Sequence, residues 1–125
     1  MREPIELVES FLKAFEAMDF DTALTHLADD CEYTNIPLMS VKGHEGVRQV
    51  LGPFFEPVKE NEFQLLRKAA SGNVVFFERL DRHLTEAGWR ELPVNSVFEV
   101  ENGKITVWRE YFDAPTAQQI HATKA

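Results

Sequence analysis

The chain has 125 residues, room for a single domain with one core. Hydrophobic residues make up 44% and charged residues 27%, the balance of an ordinary globular domain, and a net charge of -8 argues against nucleic acid or an anionic membrane as partner, since phosphate needs a basic face. One cysteine, Cys31, excludes an intramolecular disulfide and points to a reducing compartment; no signal peptide or membrane span is legible, so a cytoplasmic protein is expected.

Pro4 to Ala17 reads as a helix, with Pro4 in the first turn and Ile5, Val8, Phe11, Leu12 and Phe15 on one apolar stripe. Asp19 or Asp21 can cap a second short helix whose inner face is Ala23, Leu24 and Leu27. Tyr33 to Ile36 favours a strand that Pro37 ends, with Tyr33 and Asn35 facing the same way. Val47, Val50, Leu51, Phe54, Phe55 and Val58 return to helical spacing, which Gly52-Pro53 should kink or end.

From Asn61 the pattern changes to strands. Glu62 to Ala69 is one, and Val74 to Leu84 is the longest and most β-prone. After a turn at Thr85 to Gly88, Trp89 to Val100 follows with a break expected at Pro93. Asn102-Gly103 signals a hairpin into Ile105 to Asp113, and a short tail follows Pro115, helical at most over Gln118 to His121. Helices first and then a meander of long strands indicate an α+β domain, residues 1–125. Its curved, mixed or antiparallel sheet would form a cone with the N-terminal helices packed over the concave face, enclosing a pocket.

Strand alternation sets Val75, Phe77, Arg79, Asp81 and His83 on one face of the longest strand. Arg79 and Asp81 read either as a surface ion pair or, if that face is inward, as a paired buried site. On the last strand Trp108, Glu110 and Phe112 share a face, the better candidate for a pocket wall. An inward Glu110 beside Arg79 and Asp81 would place two carboxylates on one guanidinium. Such a grouping can split two carboxyl pKa values into an acid and a base. Tyr33 and Asn35 nearby could hold a water. His26, His44, His83 and His121 lack ligand spacing, so no metal site is expected, and Cys31 lacks the context of a nucleophile. Nucleophile-elbow, dinucleotide-binding and P-loop motifs are absent from the sequence.

Tyr33-x-Asn35, Glu78-Arg79-x-Asp81 and Gly103-Lys104-Ile105-Thr106-x-Trp108-Arg109-x-Tyr111-Phe112-Asp113, in this order, resemble the limonene-1,2-epoxide hydrolase family. That family's fold is similar to nuclear transport factor 2 and ketosteroid isomerase. The resemblance implies that Arg79 and Asp81 match its arginine and its acidic aspartate, and that Tyr33 and Asn35 match two of its water-holding residues. Its second aspartate, the base, falls at Glu110, a departure that lengthens the side chain by one CH₂; a shift of about 1 Å can cost roughly a hundredfold in rate. The resemblance further implies a homodimer, no cofactor, and a small or medium apolar epoxide and water as partners. Leu12, Phe15, Phe54, Phe55, Val58, Phe63, Val94 and Phe112 are the expected lining of an apolar pocket, each in competition with plain core packing. His83 is expected at the same wall, making it more polar than a terpene site.

Two other classes fit the same fold. An isomerase or cyclase would use Asp81 or Glu110 for proton transfer beside a carbonyl, with no uptake of solvent oxygen. A non-catalytic binding module would hold an apolar ligand and turn nothing over.

Overall fold

Helix α1 (Pro4–Glu16) begins with proline in its first turn, where the missing N–H is no loss. Its stripe of Leu7, Val8, Phe11, Leu12 and Phe15 is buried, while Ile5 packs at the margin. Asp19 caps α2 (Phe20–Leu24), its carboxylate accepting from the Thr22 backbone N–H at 3.2 Å. The computed structural model describes residues 2–121. The remaining elements are β1 (Leu27–Ile36), β2 (Met39–Lys42), α3 (Gly43–Phe55), β3 (Glu60–Ser71), β4 (Val74–Thr85), β5 (Gly88–Glu101), β6 (Lys104–Tyr111) and α4 (Ala114–His121).

The strands form one sheet in the order β2-β1-β6-β5-β4-β3. All pairs are antiparallel except β1 with β6, which is parallel, so the sheet is mixed. Asn102 at φ 52° and Gly103 at φ 75° make the two-residue β5–β6 turn, the left-handed pair that a tight hairpin requires. The helices cover one sheet face. Phe11 packs edge-on against Trp108 at 4.9 Å, and Phe15 against Phe63 at 4.9 Å, joining α1 to both halves of the sheet.

Five details differ from the sequence reading. Helix α4 covers Ala114–His121 rather than Gln118 to His121 at most, because the Asp113 carboxylate satisfies its first turn, accepting from the Thr116 N–H at 3.1 Å. Leu27 opens β1 rather than closing α2, and β1 therefore starts well before Tyr33. The short strand β2 carries little apolar pattern of its own and is held by pairing with β1. Helix α3 continues through Pro53 to Phe55: only a short stretch follows the lost bond, and burial of Leu51 and Phe55 outweighs it. Strand β5 runs unbroken through Pro93. Its pairing with β6 stops at Asn95, so Pro93 has a strand neighbour on one side only, an edge position that tolerates proline.

Candidate active site

Burial along β4 alternates, and Val75, Phe77, Arg79, Asp81, His83 and Thr85 take the inner positions. Arg79 is 1% exposed, Asp81 4% and Glu110 6%. The charges therefore lie inside, where each must be paired to be tolerated. A guanidinium has five N–H groups, and Arg79 uses all five. Nε donates to Asp81 Oδ1 at 2.9 Å and Nη2 to Asp81 Oδ2 at 2.8 Å. Nη2 also donates to Glu110 Oε1 at 3.1 Å, and Nη1 to Glu110 Oε2 at 2.8 Å. The fifth bond runs from Nη1 to Ser96 Oγ at 3.2 Å, and that hydroxyl donates onward to the Phe77 carbonyl at 3.4 Å. The guanidinium lies 4.8 Å from the centroid of the Phe63 ring.

Sheet order explains how distant residues meet. Parallel pairing sets Asn35 beside Glu110 and Tyr33 beside Trp108, and antiparallel pairing sets Ser96 on Glu110's other side. Tyr33 stacks on Trp108 with centroids 3.8 Å apart and planes 14° apart. The Trp108 indole N–H donates to Glu110 Oε2 at 2.9 Å.

Burial raises the Asp81 carboxyl above its usual pKa; Arg79 pulls the other way and Glu16, from α1, adds to the rise. Burial pulls Arg79 down, but Asp81 and Glu110 more than reverse this and hold it charged. Tyr33 is driven up by burial and by the nearby Glu110 charge, against a hydrogen bond with Asn35, so its hydroxyl stays protonated. Cys31 is pushed up to about 12, first by burial and then by Asp30 and Glu32, which leaves an inert thiol.

The carboxylates close one part of a cavity of about 110 Å³. Its lining contains Tyr33, Asn35, Asp81 and Glu110 together with Phe15, Phe54, Phe55, His83, Val94 and Phe112. Arg79 lies behind the two carboxylates and does not line it. The His83 ring packs edge-on against Phe54 and Phe55 at 5.4 and 5.6 Å. Three residues expected at the wall are elsewhere. Leu12 and Val58 belong to the core cluster, and Phe63 lies under Arg79, because helix packing and the guanidinium face claim them. Leu38, Val50, Leu51, Leu92, Ala117 and Gln118 complete the lining and were not anticipated. Leu92 had a signal, since it faces Asp81 across the β4–β5 ladder; Ala117 and Gln118, on α4, had none. Among the described residues no cluster of three histidine, cysteine or acidic side chains could hold a metal ion. No described helix is long and apolar enough to cross a membrane.

A buried guanidinium dividing two carboxylates, at an apolar cavity between a mixed sheet and its helices, is the arrangement anticipated from the motifs. A family model for the limonene-1,2-epoxide hydrolase catalytic domain matches residues 2–122, and the chain belongs to that family. It is 36% identical over 106 residues to the epoxide hydrolase EphG of Mycobacterium tuberculosis, spanning 85% of this chain and 70% of that protein. The structure of an LEH-like epoxide hydrolase from M. tuberculosis is similar with a TM-score of 0.79 and 33% identity, over 94% of this chain and 87% of that one. An NTF2-like protein of unknown function from Burkholderia pseudomallei matches over 100% of both chains with a TM-score of 0.83 at 22% identity, which establishes the NTF2-like fold and no more.

Proposed function

We propose that this protein opens a small or medium apolar epoxide in one step, with water as nucleophile, to give a vicinal diol. The observation that carries the reading is the double fork on Arg79, which presents Asp81 and Glu110 to one cavity while tying both to one cation. Glu110 takes a proton from the water held by Tyr33 and Asn35. The water oxygen bonds to an epoxide carbon, the C–O bond breaks, and Asp81 gives its proton to the departing alkoxide. Solvent then returns a proton to Asp81 and removes one from Glu110. Burial, which raises Asp81, favours the protonated form that can donate. The apolar lining selects a hydrophobic ring and keeps bulk water away from the alkoxide. The small cavity, below the ~150 Å³ that an engineered pocket uses to hold benzene, favours compact substrates.

Single-turnover incubation of the protein with cyclic and terminal epoxides in oxygen-18 water tests this, beside an Asp81→Asn control. Label is expected in the diol of the first turnover and is lost in the control. No diol above the control from any epoxide overturns the reading. The same proposal includes a homodimer: half-buried Leu80 and Val107 and exposed Tyr111 occupy strand faces turned away from the core, where a second copy can cover them. Light scattering at twice the chain mass supports it, and a monomer at micromolar concentration contradicts it.

A further inference from the structure

The two oxygens of Glu110 are not equivalent. Oε2 accepts from Arg79 Nη1 at 2.8 Å and from Trp108 Nε1 at 2.9 Å. Among the described residues Oε1 accepts only from Arg79 Nη2, at 3.1 Å. A carboxylate oxygen offers about two lone-pair sites, so Oε2 is filled and Oε1 keeps one. We propose that Trp108 is a positioning residue that occupies Oε2 and so commits Oε1 as the atom that takes the proton of the attacking water.

This inference rests on the hydrolase reading and deepens it. Glutamate is longer than aspartate by one CH₂. The longer side chain has one more torsion to fix, and Trp108 fixes it from the same strand, two residues away on the same face. Trp108 is itself immobilised. It is fully buried, stacked on Tyr33, and held edge-on by Phe11 at 4.9 Å and Phe15 at 5.4 Å. One indole thus holds the base by its N–H and the water-holding Tyr33 by its face. Neither contact places Trp108 in the cavity lining, so it acts through Glu110 and Tyr33 and not on substrate.

The charged and titratable groups around Glu110 are known among the described residues. Arg79, Asp81 and His83 approach from β4 and Tyr33 from β1, while Glu16 of α1 acts on Asp81. The Trp108 N–H is a charge-assisted donor to Glu110 Oε2, so removing it frees that oxygen and the torsion it fixes.

The test replaces Trp108 site-specifically with 3-benzothienylalanine, which keeps the bicyclic ring and exchanges N–H for sulfur; Trp108→Phe is the second variant. Two readouts are taken on the full chain. The first is the Glu110 side-chain carboxyl titration, followed by carbon-13 NMR in the absence of substrate and assigned with Glu110→Gln. The second is the pH profile of kcat/KM with an epoxide that the wild type hydrolyses. In the benzothienyl variant the Glu110 carboxyl signal and the pH profile are expected to change together, and the high-pH plateau is expected to fall roughly tenfold, because Glu110 loses the bond that holds its position. A Glu110 titration that superimposes on the wild type overturns the proposal, whatever the activity. A titration that moves while the acid limb stays fixed overturns the assignment of Glu110 as the atom-bearing base. Failure of the parent reading has a different signature, namely no diol from the wild type, and the carboxyl titration still decides whether Trp108 governs Glu110.

Discussion

Arg79 and Asp81 lie two residues apart on one strand face and meet fork to fork, with Nε 2.9 Å from Oδ1 and Nη2 2.8 Å from Oδ2. A pleated strand brings alternate side chains to the same side, and the two planar groups lie edge to edge. The guanidinium thereby orients the carboxyl that the proposed reaction uses as its acid. Asp81→Asn preserves shape and hydrogen-bond capacity on one oxygen but cannot give up the proton. A fall in kcat of about 10²–10⁴ is expected with circular dichroism unchanged, and steady-state turnover of the best epoxide checks it.

Burial raises the Asp81 carboxyl above its ordinary value of 3.8, so the folded chain holds a proton that the unfolded chain has released. The associated stability is complete below that value and is lost as pH rises through the folded value. Urea unfolding from pH 4 upward is expected to show this falling contribution, and Asp81→Asn is expected to remove it from the slope.

Removing the shared cation is more severe. Arg79→Met leaves Asp81 and Glu110 buried with no counter-charge, and a loss of about 3–5 kcal/mol is expected near neutral pH. Burial then raises the Asp81 carboxyl with no cation opposing it, so the loss shrinks as pH falls and Asp81 is protonated. A midpoint that does not recover at acid pH contradicts the pairing.

Ser96 bonds Arg79 from the side of the β5 backbone and is 1% exposed. Ser96→Ala leaves one N–H of a buried cation without its acceptor. A destabilisation of about 1–3 kcal/mol is expected from urea titration at pH 7.

Tyr33→Phe keeps the stack on Trp108 and removes the hydroxyl from the cavity. A drop of roughly tenfold in kcat/KM is expected, the scale of one neutral hydrogen bond, with stability near that of the wild type.

The sequence made the central strand legible because its pattern is local. Arg79 and Asp81 alternate with apolar neighbours, and one inward face follows for all of them. Glu110 was legible as a partner through its aromatic flanks. The parallel pairing of β1 with β6 was not, because it joins segments near opposite ends of the chain and leaves no mark on either. The cavity wall was legible only in part. Phe54 and Phe55 sit on a helical stripe, yet whether a stripe residue such as Leu12 meets the cavity or the core depends on how α1 is rotated over the sheet, which spacing leaves open. Trp108 looked like wall and is a support, since face alternation says which way a side chain points and not what its ring nitrogen meets.

The parallel strand pair also fixes the order in which the proposed chemistry becomes available. Tyr33 and Asn35 leave the ribosome early, Arg79 and Asp81 follow, and Glu110 arrives with the last strand. β1 has no partner in the middle of the sheet until β6 slots in beside it, so two distant stretches must close a long loop before Tyr33 and Asn35 lie beside Glu110. An incomplete nascent chain therefore carries Asp81 and Arg79 without Glu110, the proposed base, until β6 docks.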